Sequence, residues 1–210
     1  MDFSIIIINF NTSRLTLNCV DSIFALKNFL NIEIIVVDNN SSDVEKNILV
    51  AGLNEKVRLV QSDINLGFSG GNNLGAKYAA GKYLLFLNSD TIIKDDIFSS
   101  AEKLFLEDER IGVISPILLD VDGGRQAKAF GPFPSLKYLI YKNVISRNDN
   151  DFPKKIDWVS GAALFIRRHL FDKIGGWDSN FFLYLEDVDL CWMAKKYGYK
   201  VIIDDSVKII

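Results

Sequence analysis

The stretch Lys82-Tyr-Leu-Leu-Phe-Leu-Asn-Ser-Asp90-Thr91 decides the fold. Its apolar run ends abruptly in three polar residues, and such a run between turn-forming residues is typical of a strand buried on both faces of a sheet. Because ligands bind at the carboxyl ends of strands in open α/β sheets, Asp90 would lie where its carboxylate can hold a hard cation. Asn, Ser and Asp are also common turn and capping residues, so this stretch alone leaves both interpretations open.

Outward from this strand, apolar runs and helical patterns alternate along the chain. The patterns predict strands over residues 4–8, 32–37, 57–60, 82–87, 113–115 and 200–203, and a strand-like run over 158–166 that is broken at Ser160-Gly161. They predict helices that begin at Thr12 or Ser13 and that cover residues 65–80, 95–107, 136–143, 168–174 and 185–197. Short connections favour a mostly parallel, twisted sheet flanked by helices, the α/β class. Between residues 116 and 153 the periodicity fades, which is typical of a binding loop or lid.

Length and composition bound the function. The 210 residues, 49% apolar and 24% charged, suffice for one globular domain with a sizeable core. The net charge of −3 argues against a general nucleic-acid binder. Cys19 and Cys191 fall in apolar helical patterns, which predicts buried thiols in a reducing compartment. The sequence shows neither a secretory signal nor an apolar window of about 18 residues, so we expect a soluble cytoplasmic protein.

Two further acidic clusters are candidate sites. Asp38 and Asp43 follow the predicted strand 32–37, and Glu186, Asp187 and Asp189 open a predicted helix behind an aromatic stretch. Carboxylates beside aromatic surface are desolvated, which raises their pKa toward the range of a general base. Acids in a first helical turn are also stabilised by the helix dipole, by about 0.3–1 kcal/mol each, so a purely structural role stays open.

The segment Asn65-Leu-Gly-Phe-Ser-Gly-Gly-Asn-Asn-Leu-Gly75 combines glycines with asparagines. It matches neither the phosphate loop GxxxxGK[ST] nor the dinucleotide fingerprint that follows a first strand. Its asparagines suggest a backbone that a polar ligand approaches. Its glycines alone would also explain a tight turn with close helix packing, so this signal is weak in isolation.

Taken together, these segments resemble glycosyltransferase family 2, the inverting enzymes with the GT-A fold, and especially the rhamnosyltransferase-like members that build bacterial surface polysaccharides. The matching segments are collinear: SIIIINFN (4–11), VVDNNSSD (36–43), NLGFSGGNNLG (65–75), LNSD (87–90), VSGA (159–162), GGWD (175–178) and FLYLEDVDL (182–190). The resemblance implies a single GT-A domain over residues 1–210. Residues 1–115 would form a Rossmann-like half that binds the nucleotide-sugar, and residues 116–210 would bind the acceptor and carry the catalytic base.

The resemblance implies a UDP- or dTDP-sugar donor whose pyrimidine base would donate a hydrogen bond to Asp38. Asp90 would hold Mg²⁺ or Mn²⁺ on the donor diphosphate, and the cation would stabilise the leaving group. The other implied nucleotide-binding positions are Asn9, Asn11, Asn40, Asn65, Gly71, Asn72 and Ser89.

In the second half, the resemblance makes Asp187 the general base that takes the proton of the acceptor hydroxyl, with Glu186 as the second choice. The reaction would be a single displacement with inversion at the anomeric carbon. The acceptor would be a glycan or a lipid-linked saccharide at the inner face of the membrane, which fits peripheral membrane association. The implied acceptor-binding residues are Trp158, Gly161, Trp177 and Asp178. The oligomeric state stays open.

Three departures from the family pattern leave alternatives open. Asn88 replaces the first Asp of the metal motif, so phosphates would hold most of the metal, and Met193 replaces an Arg. The chain reaches Ile210 without the metal-ligating His of many members, and His169 matches no metal motif, so we expect C-terminal truncation. A domain that binds nucleotide or sugar without turnover is therefore one alternative. A nucleotidyltransferase is another, although the first strand–helix turn lacks its Gly-rich, basic loop.

Overall fold

The computed structural model describes residues 1–26, 31–126, 129–134 and 155–210. The predicted helix 136–143 lies outside these ranges. Within them, no helix is long and apolar enough to cross a membrane. In chain order the elements are β1 (Phe3–Asn9), α1 (Ser13–Phe24), β2 (Ile32–Asp38), α2 (Asp43–Gly52), β3 (Val57–Gln61), α3 (Gly67–Ala76), β4 (Tyr83–Asn88), α4 (Ile97–Glu107), β5 (Ile111–Leu118), β6 (Phe130–Gly131), β7 (Trp158–Val159), β8 (Ala163–Arg167), α5 (Arg168–Ile174), α6 (Glu186–Lys196) and β9 (Lys200–Ile209).

Seven strands form one sheet in the order β3-β2-β1-β4-β8-β5-β9. β1 pairs in parallel with β2 and β4, β2 with β3, and β5 with β9, whereas β8 runs antiparallel to both β4 and β5. The sheet is mostly parallel, as predicted, because a helix crosses back between each pair of the first four strands. β6 and β7 form a separate antiparallel pair.

The core lies on both faces of the sheet, because its central strands are apolar on both sides. On one face the ring of Phe3 lies 5.2 Å from that of Tyr83 and 5.5 Å from that of Phe98. On the other face Phe86 packs edge-on against Trp177 at 5.0 Å. Each fully buried side chain of this size contributes about 1.5–3 kcal/mol to stability.

Three elements differ from the prediction. Helix α2 was not predicted from the sequence. Its apolar periodicity is weak, because Leu49 is its one fully buried residue. The strand-like run 158–166 is broken after Val159, as predicted, but its two parts, β7 and β8, belong to different sheets. β9 continues to Ile209, because a bulge lets its second half pair with Ile117 and Leu118 of β5.

The strand register gathers polar residues at one edge of the sheet. Asn9 at the end of β1 lies opposite Asp38 at the end of β2. On its other side β1 pairs Ile8 with Asn88, the last residue of β4. The polar ends of three neighbouring parallel strands therefore meet at the same edge, where ligands bind in sheets of this kind.

Candidate active site

A cleft of about 410 Å³ opens at the carboxyl ends of β1, β2 and β4. Its polar lining comes from residues at or after the ends of β1, β2, β3 and β4. Its apolar lining comes from the stretch that runs from the end of β1 to the start of α1, from α3 and from the segment before α6. The polar residues are Thr12, Asn39, Asn65, Asn88, Ser89 and Asp90, and the apolar ones are Ile8, Phe10, Leu15, Phe68, Phe182 and Leu183. A cleft with few polar groups and apolar walls is the usual form of a small-molecule site.

Asn9 ties the ends of β1 and β2 together beneath the cleft. Its amide donates to Asp38 Oδ1 at 2.8 Å and to Ser41 Oγ at 3.0 Å, and its carbonyl oxygen accepts from Thr16 Oγ1 at 2.9 Å. Asp38 is 0% exposed, and its second oxygen accepts from the backbone N–H of Ser41 at 3.3 Å. These hydrogen bonds make the Asp38 carboxylate part of the floor of the cleft, and its contact with a nucleobase stays a prediction.

Asn39 fixes residues 65–67, here called the floor loop, and sequence reasoning missed this role. Its amide nitrogen donates to Asn65 Oδ1 and to the Gly67 carbonyl, both at 3.0 Å. Its oxygen accepts from the backbone N–H of Leu66 at 2.9 Å. Asn39 is 2% exposed, so these hydrogen bonds are shielded from water. The available signal was its place between Asp38 and Asn40 in a matching segment.

The other predicted nucleotide-binding residues divide into two groups. Asn11 and Asn40 are exposed and adopt left-handed backbone conformations, with φ of 56° and 66°, in the turns after β1 and β2. Gly71 and Asn72 are buried in α3 and do not line the cleft. A Cβ at Gly71 would lie 3.0 Å from Ile8, so this glycine allows α3 to pack closely behind the cleft.

Asp90 is exposed and lines the cleft beside Ser89, whose hydroxyl oxygen lies 3.1 Å from that of Thr12. Carboxylate oxygen is a ligand that Mg²⁺ and Mn²⁺ prefer. Within the described ranges no three His, Cys, Asp or Glu side chains form a group that could hold a metal. The residues fit a cation that takes one carboxylate from the protein and most of its ligands from a bound diphosphate.

Asp187 lies in the first turn of α6, and backbone groups hold its carboxylate. Oδ1 accepts from the N–H of Val188 at 2.8 Å, and Oδ2 accepts from the N–H of Gly161 at 3.2 Å. Burial raises the pKa of Asp187, although these two hydrogen bonds act in the opposite direction. A fixed carboxylate with a raised pKa is what a general base requires. Gly161 therefore positions Asp187, a different contact from the predicted one with an acceptor.

Glu186 is more deeply buried than Asp187. Its side chain is 5% exposed, and its Oε2 atom finds no hydrogen-bond partner in the described part of the chain. Burial raises the pKa of Glu186, and the neighbouring charge of Asp187 adds to the effect. Since Asp187 is only partly buried, it is the more accessible of the two carboxyl groups.

A short series of hydrogen bonds connects Asp187 to the strand end that carries Asp90. Gly161 donates to Asp187, and the next residue, Ala162, accepts from the backbone N–H of Asn88 at 2.9 Å. Asn88 ends β4 just before Asp90. In addition, the segment that leads into α6 lines the same cleft as Asp90. The structure thus brings the two predicted carboxylates to one edge of the sheet.

The predicted acceptor-binding residues do not line the cleft. Trp177 is 2% exposed and packs edge-on against Phe86, so it belongs to the core, and its stacking on an acceptor sugar stays a prediction. Trp158 is partly buried, and its indole N–H donates to the carbonyl of Pro132 at 3.1 Å. Asp178 is exposed but does not line the cleft.

The sheet order, with a single antiparallel strand among the seven described, and the cleft at its carboxyl edge define a GT-A glycosyltransferase fold. The same fold occurs in the mannosyltransferase PcManGT from Pyrobaculum calidifontis, whose structure contains GDP-Man and Mn²⁺. The TM-score is 0.72 over 99% of this chain and 55% of that chain, at 16% sequence identity. The chain belongs to glycosyl transferase family 2, whose family model matches residues 4–175.

The sequence of the chain is similar to those of two curated proteins that are named for sugar transfer. The rhamnosyltransferase WbbL of Escherichia coli is 30% identical over 187 residues, which cover 80% of this chain and 68% of that protein. The low-salt glycan biosynthesis hexosyltransferase Agl10 of Haloferax volcanii is 27% identical over 212 residues, which cover 95% of this chain and 64% of that protein. The chain thus spans about two thirds of the length of these relatives.

Proposed function

We propose that this chain transfers a sugar, with inversion, from a UDP- or dTDP-sugar to a hydroxyl group of a glycan or a lipid-linked saccharide. One observation carries the proposal: an exposed carboxylate, Asp90, lines the cleft, and hydrogen bonds through Gly161 and Ala162 connect a desolvated carboxylate, Asp187, to the same edge of the sheet. Membership of family 2 and the relatives named for hexosyl and rhamnosyl transfer support it.

The donor would lie over the floor loop, with its diphosphate toward Asp90. Asp38 would accept a hydrogen bond from the pyrimidine base, and Asn65 with the turn residues Asn11 and Asn40 would frame the rest of the nucleotide. Asn9, which is hydrogen-bonded to Asp38, would keep the floor rigid beneath it. Asp90, with Ser89 beside it, would hold Mg²⁺ or Mn²⁺, which when bound would act as a Lewis acid on the diphosphate. The Mn²⁺ in the complex of PcManGT supports a divalent ion.

Asp187 would act on the acceptor. As the acceptor oxygen bonds to the anomeric carbon, its proton passes to the Asp187 carboxylate, and the bond from the anomeric carbon to the diphosphate oxygen breaks on the opposite face. The hydrogen bonds from Gly161 and Val188 hold the carboxylate in place for this transfer. A positioned general base accelerates such a step by about 10²–10⁴-fold. Peripheral association with the membrane that carries a lipid-linked acceptor completes the proposal.

The donor is tested by a thermal-shift screen of UDP-, dTDP- and GDP-sugars with Mn²⁺, using wild type and Asp90→Ala. We expect a UDP- or dTDP-sugar to stabilise the wild type, by about 2.7 kcal/mol at a concentration 100 times its Kd. The stabilisation that depends on Mn²⁺ should disappear in Asp90→Ala. Stabilisation by a GDP-sugar alone would contradict the pyrimidine donor, and an equal response of Asp90→Ala would contradict the metal site.

A binding domain without turnover is the second candidate, because Asp90 is the single acidic residue that lines the described cleft. The two functions are separated by product analysis with the donor found in the screen. NMR spectroscopy of the glycosylated acceptor should show the anomeric configuration opposite to that of the donor. Nucleotide binding without a product on any acceptor tested would favour the binding domain.

A further inference from the structure

The segment at residues 181–185, here called the strap, crosses from the floor loop to the start of α6. The carbonyl oxygen of Phe182 accepts a hydrogen bond from the backbone N–H of Phe68 at 2.9 Å. The side chains of Phe182 and Leu183 line the cleft, although they are 61% and 52% exposed. The strap is therefore attached to the floor by backbone contact, while its apolar side chains stay open to solvent.

Gly67 makes this attachment possible. Its φ is +70°, and a Cβ atom at this position would lie 2.6 Å from the carbonyl oxygen of Phe182 and 2.8 Å from its ring. The backbone oxygen cannot turn aside as the end of a flexible side chain could, so any side chain at Gly67 would push the strap away. On its other side Gly67 is fixed, because its N–H donates to Asn65 Oδ1 at 2.9 Å and its carbonyl accepts from Asn39.

At its other end the strap leads directly into the helix that carries Asp187. Tyr184 and Leu185 both have φ of +72°, and Leu185 is the N-cap residue of α6. Two consecutive left-handed residues are unusual outside glycine, and they turn the chain sharply from the strap into the helix. The position of Phe182 on the floor loop therefore constrains where the first turn of α6 begins.

We propose that Gly67 is a positioning residue that couples the floor of the cleft to Asp187 through the strap. This inference rests on the proposed function, because it assigns the floor loop to the donor and Asp187 to the acceptor proton. As a consequence, a change in the contact between the strap and Gly67 should alter both the nucleotide site and the position of Asp187. The side chain of Gly67 is a hydrogen atom, so its contribution is the space that it leaves.

The test compares Gly67→Ala with Gly123→Ala by hydrogen exchange and mass spectrometry, without nucleotide. Gly123 has φ of +82°, and a Cβ atom at this position would have no neighbour within 4 Å among the described residues, so it reproduces the backbone strain without the contact. We expect the N–H of Phe68, which donates to the Phe182 carbonyl, to exchange about tenfold faster in Gly67→Ala than in wild type, and to be unchanged in Gly123→Ala. Phe182→Ala, which removes the ring over Gly67, serves as a second variant in case Gly67→Ala does not fold, and it should shift exchange in the same direction.

Kinetics with the donor and acceptor then test the coupling. We expect Gly67→Ala to raise the donor KM and lower kcat, each by about tenfold, whereas Gly123→Ala should change neither. A wild-type exchange rate of the Phe68 N–H in both Gly67→Ala and Phe182→Ala would overturn the proposal, as would an intact kcat in a variant in which this N–H exchanges faster. Failure of the proposed function would appear differently, as a wild type without turnover and with the exchange difference still present.

Discussion

At the residue scale, Glu186 and Asp187 show how neighbouring carboxyl groups acquire different properties. Both are desolvated, and the pKa of each is raised. Asp187 accepts two backbone hydrogen bonds, whereas Glu186 Oε2 has no partner in the described part of the chain. Asp187 is therefore oriented for proton transfer, and Glu186 carries an uncompensated cost of burial at neutral pH.

Glu186→Gln should therefore stabilise the protein near neutral pH, by about 1 kcal/mol. Because the pKa of Glu186 is raised by folding, its contribution to stability is full below the unfolded pKa and is lost as the pH rises through the folded pKa. Glutamine does not titrate, so the gain of the variant should vanish in acid. Urea unfolding over a pH series measures this difference. The exposed Glu55→Gln is the control, and a Glu186→Gln variant no more stable than wild type at neutral pH would contradict this explanation.

The residue types at the site could be predicted from the sequence better than their burial could. Asp90 lies exposed in the cleft, because it directly follows an apolar strand and the chain must turn there. Trp177 and Asp38 were expected to touch ligands, and both are buried. A tryptophan or a carboxylate can face a ligand or the core, and only the packing of distant elements decides between them.

At the element scale, a glycine allows α3 to pack closely against β1 and β2. A Cβ at Gly75 would lie 2.5 Å from Ile6 Cγ2 and 3.0 Å from Val37 Cγ2, both in fully buried residues of the sheet. The helix also begins at the floor loop, so its distance from the sheet sets the height of the cleft floor.

Gly75→Ala should destabilise the protein by up to about 2 kcal/mol, measured by urea unfolding. The clash with the sheet costs about 1–3 kcal/mol, and it outweighs the gain of about 1 kcal/mol that alanine brings to a helix. Ile6→Ala in the same chain should make the added methyl group less harmful, because it removes the nearest contact. An equally stable or more stable Gly75→Ala would show that α3 is packed less closely than described.

β8 is anchored to α4 and β5 by a buried cation. Arg167 is 7% exposed, and its guanidinium donates to the carbonyls of Ile111 at 2.7 Å and Phe105 at 2.5 Å. The same group lies over the ring of Phe105, 4.8 Å from its centroid. Such a cation stabilises the fold by satisfying carbonyl groups that have lost contact with water.

Arg167→Met should therefore reduce the free energy of unfolding by roughly 3 kcal/mol, because it leaves buried carbonyl groups without donors. Lys103→Met is the matched control. Its ion pair with Glu107 is 3.8 Å long and joins side chains that are 73% and 58% exposed, so its loss should cost little. Equal losses for the two variants in urea unfolding would contradict the anchoring role of Arg167.

At the scale of the whole molecule, alternating patterns and short connections were enough to predict a mostly parallel sheet and the polar residues at the ends of its strands. The antiparallel insertion of β8 between β4 and β5 was not predictable, because its apolar run is the same in either direction. This insertion has a functional consequence: it brings the chain before β8, with Gly161, beside the end of β4. The meeting of Asp187 with the edge that carries Asp90 is therefore a product of topology.

The most direct test of this meeting measures nucleotide binding and turnover side by side in Asp90→Ala and Asp187→Asn, with Mn²⁺ and the donor identified by the screen. We predict that Asp187→Asn keeps the wild-type affinity for the nucleotide and loses turnover by about 100-fold or more. We also predict that Asp90→Ala loses the binding that depends on Mn²⁺. Turnover by Asp187→Asn within a few-fold of wild type, or binding by Asp90→Ala that still responds fully to Mn²⁺, would contradict the proposed pairing of Asp90 and Asp187 at one edge of the sheet.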